Sequence, residues 1–180
     1  MDVTFITGNA DKAKALEEWL GHPIAIQKLD LDEIQSVDVR IVSEHKARQA
    51  FAILNKPVLV EDVGLAFAAL NGLPGALIKW FVDTAGLATT ARMLDGFDDK
   101  TATAICIWTY YDGKDVRVIE GYQSGSIAHQ PRGDGGYGWD KIFIPDGSQL
   151  TRSEMTPEAY QKSYTASKNF VAIKELLLSL

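Results

Sequence analysis

Short apolar runs alternate with segments of helical periodicity over residues 2–62, and this alternation constrains the fold more than any other feature. The runs DVTFIT, IAIQKLDL and KPVLVED are typical of β-strands, and the last contains a continuous Val-Leu-Val stretch. Strands that are covered on both faces, as in parallel sheets, have such continuous apolar runs. The order βαβαβ therefore predicts an α/β fold with a mixed sheet flanked by helices.

Two helices are predicted between these strands. The first follows Thr7-Gly8-Asn9, has Asn9 or Asp11 as its cap, and ends at the Gly21–Pro23 stretch. Its apolar face is made by residues at helical spacing, namely Ala13, Leu16 and Leu20. The second spans about Ile41 to Leu54, and its predicted inward face comprises Ile41, Ala47, Ala50, Phe51 and Leu54.

The remainder of the chain indicates a short helix, a hairpin and a helical end. A helix is predicted over Leu87 to Leu94, and two long strands, TATAICIWTYY and VRVIEGYQSGSIA, flank a turn at Asp112-Gly113. The run KIFIP is typical of a strand, and from about Pro157 the pattern is mostly helical. No linker or repeat interrupts the chain, so residues 1–180 are interpreted as a single domain.

Composition excludes several classes of function. No apolar run approaches the roughly 18 residues that span a bilayer. The start of the sequence lacks a secretory signal pattern and Cys106 is the only cysteine, so a cytoplasmic location is expected. The net charge of -6 argues against a nucleic acid as partner. The sequence has no Walker phosphate loop and no G-x-S-x-G, and its scattered histidines do not predict a zinc site.

One glycine-rich motif resembles a dinucleotide fingerprint but lacks its context. Gly133, Gly135 and Gly138 spell G-x-G-x-x-G, yet they precede the strand-like run WDKIFIP instead of a helix. We interpret this segment as a flexible loop whose backbone can approach a ligand closely.

Three acidic residues stand near the predicted ends of strands. Glu61 and Asp62 follow the Val-Leu-Val run, and Glu33 lies just past IAIQKLDL. Ligands of open α/β sheets bind outside the carboxyl ends of the strands. Carboxylates without histidine or cysteine suit Mg²⁺, which completes its coordination with phosphate and water. The acids predict a Mg²⁺ site, and the alternative is that they only solvate loop ends.

Basic and aromatic residues indicate a nucleotide. Lys12, Lys46 and Lys79 lie near the same predicted strand ends and form a plausible polyphosphate site, although each alone is typical of a solvated surface charge. Tyr137 and Trp139 provide aromatic faces on which a base can stack, and Asp140 beside them can accept a hydrogen bond from a base N–H. The alternative is that the two aromatic residues form a hydrophobic plug over the sheet.

Three segments, FITGNADKAKALEEW, PVLVEDVGLAFAALNGLPGALIKWF and GYGWDKIFIPDGSQLTRSEM, closely resemble the inosine triphosphate pyrophosphatases, also called Ham1-like proteins. These enzymes hydrolyse ITP, XTP and their deoxy forms to the monophosphate and pyrophosphate. The resemblance implies an elongated mixed α/β fold with a central cleft between two lobes, dependence on Mg²⁺, and a homodimer.

The resemblance also implies roles for individual residues. Metal ligands are implied at Glu33 and Asp62, with Glu61 beside them, and Asp62 is also implied to activate water. The implied residues for triphosphate binding and catalysis are Thr7, Gly8, Asn9, Lys12, Lys46 and Lys79. The implied residues for the base are Tyr137, which stands where phenylalanine is usual, Gly138, Trp139, Asp140 and Lys162.

The last helix departs from the family pattern. The family has a lysine followed by Ser-His-Arg there, whereas this chain reads KSYTASKNF. Lys162 matches the lysine, and Ser167 and Lys168 are candidate replacements for the base contacts. Hydrolysis of non-canonical purine nucleoside triphosphates is therefore expected. Two alternatives stay open: hydrolysis of nucleotides with a different base, such as a modified pyrimidine or a damaged base, and a nucleotide-binding sensor with weak turnover.

Overall fold

The computed structural model describes residues 3–180, and within that range it contains a seven-stranded sheet flanked by helices. The strands are β1 Thr4–Ile6, β2 Ala25–Gln27, β3 Val58–Phe67, β4 Pro74–Gly75, β5 Thr101–Tyr111, β6 Val116–Ile127 and β7 Phe143–Pro145. The helices are α1 Ala10–Leu20, α2 Val39–Leu54, α3 Ile78–Trp80, α4 Leu87–Arg92, α5 Pro157–Lys168 and α6 Phe170–Leu178. A π-helical turn spans Phe81–Ala85, and 3₁₀ turns span Ala68–Leu70, Gly138–Lys141 and Arg152–Glu154. The predicted α/β class is confirmed.

The sheet has the strand order β2-β1-β3-β5-β6-β7, with β4 paired to β3 outside this path. β1 runs parallel to both β2 and β3, while β4 is antiparallel to β3 and β7 is antiparallel to β6. The chain leaves β1 toward β2 and later returns past β1 to β3. Right-handed crossovers then place α1 and α2 on opposite faces of the sheet, and the point between β1 and β3 is a topological switch point.

Local sequence rules explain the first helix. Asn9 caps α1 by accepting from the amides of Asp11 and Lys12, and Gly21 ends it with a φ of 78°. The predicted core residues Ala13, Leu16 and Leu20 are buried. Asp2, the first residue of the predicted strand DVTFIT, lies outside the described residues.

The predicted inward face of α2 is wrong at one position. Ile41 is 53% exposed, whereas Val39 and Val42 are buried together with Ala47 and Ala50. The helix begins two residues earlier than predicted because Asp38 caps it by accepting from the amide of Arg40. Starting from Val39, the 3.6-residue period directs the side chain of residue 41 toward water.

The third strand is longer than KPVLVED indicates. β3 continues from Val58 to Phe67, so Glu61 and Asp62 lie inside a strand and not at its end. The parallel pairing of β1 with β3 nevertheless stops at Ile6 opposite Val60. Both acids therefore come immediately after the parallel part of β3, where ligands bind in open α/β sheets.

The chain divides into two compact units, and each has its own apolar core. The first comprises residues up to Asp62, Cys106–Glu120 and Asn169–Leu180, and the second comprises Val63–Ile105 and Gly121–Lys168. A core cluster of the first unit contains Ile6, Ala47, Ala50, Val58 and Val60. That of the second contains Leu65, Phe67, Ile78, Ala91, Leu94, Ala102, Ala104, Ile127, Ile142 and Phe143. The single-domain interpretation of residues 1–180 stays a prediction.

Aromatic side chains fill the rest of the first unit. Trp108 is fully buried between Phe5 and Phe170, and Phe170 in turn stacks on Trp19 of α1. This contact ties α6 to α1 and leaves the opposite end of α1 to the turn after β1.

Over residues 3–180, no helix combines the length and the apolar character needed to cross a membrane.

Candidate functional site

The turn after β1 is held by its own side chains. The amide of Asn9 donates to Thr7 Oγ1 at 3.1 Å, and Asn9 Oδ1 accepts from the amides of Asp11 at 2.9 Å and Lys12 at 3.2 Å. The exposed side chain of Lys28 lies against Gly8, and a Cβ at this position would come within 3.0 Å of it. These hydrogen bonds order the predicted phosphate-binding turn, and Lys12 follows it in the first turn of α1.

Replacing Asn9 with alanine is expected to lower the free energy of unfolding by about 1 kcal/mol, the usual cost of losing an N-cap. The reason is that two amides of α1 lose their acceptor. Urea denaturation of the wild type and the variant measures the change. Asn9→Ser is the matched control, since serine also caps helices, and an equal loss in both variants would show that the cap is not responsible.

Lys12 extends from α1 to Glu61 on β3. Its Nζ lies 3.8 Å from Glu61 Oε1 and donates to the backbone oxygen of Glu61 at 3.3 Å. Glu61 is 7% exposed, and Cys106 Sγ also contacts Glu61 Oε1 at 3.5 Å. Lys12 thus compensates a buried carboxylate on the face of β3 that α1 covers.

Lys46 extends from α2 and bridges two other acids. Its Nζ lies 2.7 Å from Asp62 Oδ1 and 3.0 Å from Glu33 Oε1. Burial lowers the pKa of Lys46, but the charges and hydrogen bonds of Asp62 and Glu33 outweigh it, so the pKa stands above its ordinary value of 10.5. Successive strand residues face opposite sides of a sheet, which explains why neighbouring Glu61 and Asp62 meet different helices.

Asp62 has an acceptor that the protein does not use. Its Oδ2 is buried and, among residues 3–180, has no hydrogen-bond partner. Buried polar atoms are rarely left in this state unless a water, an ion or a ligand serves them. The oxygen is therefore an acceptor that a further cation or donor can use at this position of β3.

This set of donors suits a hard cation that shares its coordination with a substrate. No group of three or more His, Cys, Asp or Glu side chains within residues 3–180 could hold a metal ion alone. Glu33 and Asp62 offer carboxylate oxygens only, and Lys46 already joins them. One or two carboxylates plus phosphate oxygens is the usual protein environment of Mg²⁺. The residues present fit Mg²⁺ in that form.

The predicted base-binding residues lie in the second unit. Tyr137 is 67% exposed, Trp139 is half-buried, and Gly138 has a φ of 56°. Lys79 on α3 and Lys162 on α5 are exposed. The prominent aromatic face at Tyr137 has the exposure that stacking on a base requires.

Asp140 is the exception, because it is only 4% exposed and binds donors of the protein. Its Oδ2 accepts from the amide of Tyr137 at 2.8 Å and from Tyr160 Oη at 2.9 Å, and its Oδ1 accepts from Arg152 Nη1 at 3.3 Å. Burial, followed by the charge of Asp140, raises the pKa of Tyr160 above its ordinary value, so the phenol stays a donor. These contacts place Asp140 inside the loop that carries Tyr137.

Arg152 and Tyr160 were not among the residues predicted from the sequence. Nothing in TRSEMTPEAY marks them, because an arginine in a short polar segment is typical of the surface, whereas Arg152 is 3% exposed. The candidate replacements Ser167 and Lys168 are also buried, and Lys168 Nζ lies over the ring of Tyr164.

Comparison with known proteins identifies the family. The model of the Ham1 family matches residues 3–177. The chain belongs to the Ham1 family. This confirms the resemblance drawn from the sequence.

Curated relatives match this Ham1-family chain over nearly its whole length. The inosine triphosphate pyrophosphatase of Batrachochytrium dendrobatidis is 42% identical over 181 residues, which cover 98% of this chain and 94% of that protein. The inosine triphosphate pyrophosphatase of Yarrowia lipolytica is 43% identical, and the match covers 100% of this chain and 96% of that protein.

Solved structures of Ham1 proteins share the fold. The HAM1 protein from Coxiella burnetii superposes with a TM-score of 0.86 at 23% identity, and the match covers 100% of both chains. The Ham1 protein of Staphylococcus aureus gives a TM-score of 0.83 at 22% identity over 98% of both chains.

Proposed function

We propose that this Ham1-family chain hydrolyses the non-canonical purine nucleoside triphosphates ITP, dITP and XTP to the monophosphate and pyrophosphate, and so removes them from the nucleotide pool. The observation that carries the proposal is the cluster of Lys46, Asp62 and Glu33 at the switch point between β1 and β3. Relatives of 42% and 43% identity that are named inosine triphosphate pyrophosphatases support the choice of substrate.

The phosphate side of the reaction uses residues that follow β1 and the parallel part of β3. The turn Thr7-Gly8-Asn9 and Lys12 bind the triphosphate, and Lys46 stabilises negative charge as pyrophosphate leaves. Asp62 takes the proton of a water that attacks the α-phosphorus in line with the leaving group. Glu33 and Asp62 would hold Mg²⁺, which would neutralise charge on the triphosphate. Glu61 meets Lys12 on the other face of β3 and stands outside this pair. Lys79 adds a further cation for phosphate.

The base side uses residues of the glycine-rich loop before β7 and of α5. Tyr137 stacks on the base, Gly138 and Trp139 shape the surface beside it, and Lys162 donates to the 6-oxo group of a purine. Adenine carries an amino group at that position. The amino group is itself a donor, so it cannot accept a hydrogen bond from lysine. Asp140 contributes through the loop it holds, since its carboxylate already accepts three hydrogen bonds from the protein.

The proposal includes a cytoplasmic homodimer that binds no nucleic acid. The net charge of -6 supports the last point, because nucleic acids bind to basic surfaces. Sedimentation of the purified protein tests the dimer: a single species of twice the chain mass is expected, and a monomer at all concentrations would contradict it.

A panel of nucleotides tests the activity. With Mg²⁺, ITP and XTP are expected to give pyrophosphate and the monophosphate, with kcat/KM at least about tenfold above that for ATP or dUTP, since a mismatched hydrogen-bonding edge is costly. Removal of Mg²⁺ with EDTA should abolish turnover. Release of orthophosphate would contradict attack at the α-phosphorus. Preference for a pyrimidine nucleotide would contradict the proposed purine specificity, and binding without turnover would favour a nucleotide sensor.

A further inference from the structure

A buried arginine lies behind the loop that carries Tyr137. Arg152 Nε donates to Ser163 Oγ at 3.1 Å, Nη1 to Asp140 Oδ1 at 3.3 Å, and Nη2 to Ser167 Oγ at 3.2 Å. Nη2 also donates to Gln123 Oε1. The guanidinium therefore joins β6, the loop before β7, and α5, which are all parts of the second unit.

The environment of Arg152 is specific for a guanidinium. Its planar face packs against Trp139 and Phe143, with the guanidinium carbon 5.2 Å and 4.9 Å from the two ring centroids. Its edge supplies donors in several fixed directions at once, which a lysine ammonium on a flexible stem does not reproduce. A charge that is 3% exposed persists in a fold only when such partners satisfy it.

Asp140 links Arg152 to the exposed loop. It is the ion-pair partner of Arg152 and at the same time accepts the amide of Tyr137. Backbone hydrogen bonds from Gly135 to Ser153 at 3.2 Å and from Arg132 to Lys141 at 2.9 Å also hold the loop. Between them, Gly133, Gly136 and Gly138 adopt positive φ angles of 80°, 72° and 56°. Glycine backbones are free to leave such conformations. The position of Tyr137 therefore depends on the Asp140 carboxylate, whose Oδ1 Arg152 holds.

The same guanidinium also contacts α5. Ser163 and Ser167 belong to α5, and the stretch KSYTASKNF contains no arginine of its own. Ser167 was a candidate for base contact, but it is 4% exposed, accepts from Arg152, and donates to the backbone oxygen of Tyr164 at 2.9 Å. The guanidinium that contacts Ser163 and Ser167 of α5 therefore comes from outside that helix, and all of its named partners are protein side chains.

We propose that Arg152 is a positioning residue for base recognition: it fixes Asp140 to α5, and through Asp140 it holds the Tyr137 platform in place for a 6-oxopurine. This role rests on the proposed function, from which the substrate is taken. It assigns Asp140 and Ser167 to the support of the base site, with Tyr137 and Lys162 left to contact the base.

The test compares three variants with the wild type by steady-state kinetics on ITP and by hydrogen exchange. Arg152→Lys keeps the positive charge and loses the planar guanidinium with its several N–H donors. The double variant Arg152→Met, Asp140→Asn removes the whole pair and avoids a buried lone charge if the single variant does not fold. Arg92→Met is the control, since Arg92 forms an exposed pair with Asp95 in the same unit.

Arg152→Lys is expected to raise KM for ITP about tenfold while kcat changes less than about threefold, because binding of the base is lost and the phosphate side is intact. The ratio of kcat/KM for ITP over ATP should fall as well. Amides of residues 133–140 should exchange faster, with those of α1 unchanged. The double variant should show the same pattern, and Arg92→Met should match the wild type in every readout.

A merely structural role predicts a different result, namely a lower melting temperature, a smaller active fraction and reduced kcat at unchanged KM. That outcome, or KM within about twofold of the wild type for both Arg152 variants, would overturn the assignment. The exchange measurement needs no substrate. Unaltered exchange in residues 133–140 would overturn the positioning role even if the wild type hydrolysed none of the nucleotides, whereas the proposed function fails on the wild-type panel alone.

Discussion

Replacing Asp62 with asparagine is expected to lower kcat for ITP by about 10²–10⁴-fold, the usual contribution of a general base. Asparagine has nearly the same shape, and its carbonyl oxygen can still accept from Lys46. It cannot take a proton from water at neutral pH. Because Asp62 Oδ2 is the oxygen without a protein partner, it is the one that a water or a cation would meet.

The fold should survive this substitution. Lys46 retains its contact with Glu33 at 3.0 Å, so the free energy of unfolding is expected to change by no more than about 1 kcal/mol. Rapid-quench measurement of single turnovers on ITP gives the chemical step, and urea denaturation gives the stability. Asp30→Asn, at an exposed acid of the same segment as Glu33, is the control and should keep wild-type activity. Near-normal turnover in Asp62→Asn would remove Asp62 from catalysis.

Local rules predict the first helix almost completely. A cap at Asn9, a stop at Gly21 and an apolar face at Ala13, Leu16 and Leu20 all follow from residues within a few positions of one another. The error at Ile41 has the same origin, since several apolar residues near the start of α2 allow more than one register. Only the cap at Asp38 decides among them.

The length of β3 was not predictable from its own residues. Two successive acids normally indicate the end of a buried strand, yet β3 continues past Glu61 and Asp62 for five more residues, to Phe67. The strand continues because Lys12 and Lys46 compensate the two charges from α1 and α2. These partners are distant in sequence, 49 and 16 positions away, so no local pattern contains them.

The proposed base site depends even more on contacts between residues that are distant in sequence. Tyr137 and Trp139 stand out in a glycine-rich loop, and the family resemblance implies their role. The hydrogen bonds of Asp140 are with Arg152, Tyr160 and the amide of Tyr137, which only the folded chain brings together. An acid beside two aromatics indicates a base-reading carboxylate, whereas the folded environment makes it a support for the loop.

Replacing Lys46 with methionine is expected to lower both the turnover of ITP and the stability, and to raise the affinity for Mg²⁺. Methionine keeps most of the length of the side chain and removes the charge that bridges Glu33 and Asp62. Turnover of ITP with Mg²⁺ should fall about 10²–10³-fold, because a donor that stabilises the leaving pyrophosphate is lost. The free energy of unfolding without Mg²⁺ should fall by about 1–3 kcal/mol, since a partly buried carboxylate loses its partner.

Affinity for Mg²⁺ in the absence of nucleotide should instead rise about tenfold in Lys46→Met. In the wild type the ammonium lies 2.7 Å from Asp62 Oδ1, so an incoming divalent cation meets a positive charge already at the acids. Titration calorimetry with Mg²⁺ alone measures this, and Lys14→Met, which removes an exposed lysine paired with Glu18, is the control. Unchanged or weaker Mg²⁺ binding would show that Lys46 and the metal do not compete for Glu33 and Asp62. Tighter binding with slower turnover would show that Lys46 holds the two carboxylates together until the nucleotide brings its own cation, and then turns to the phosphates.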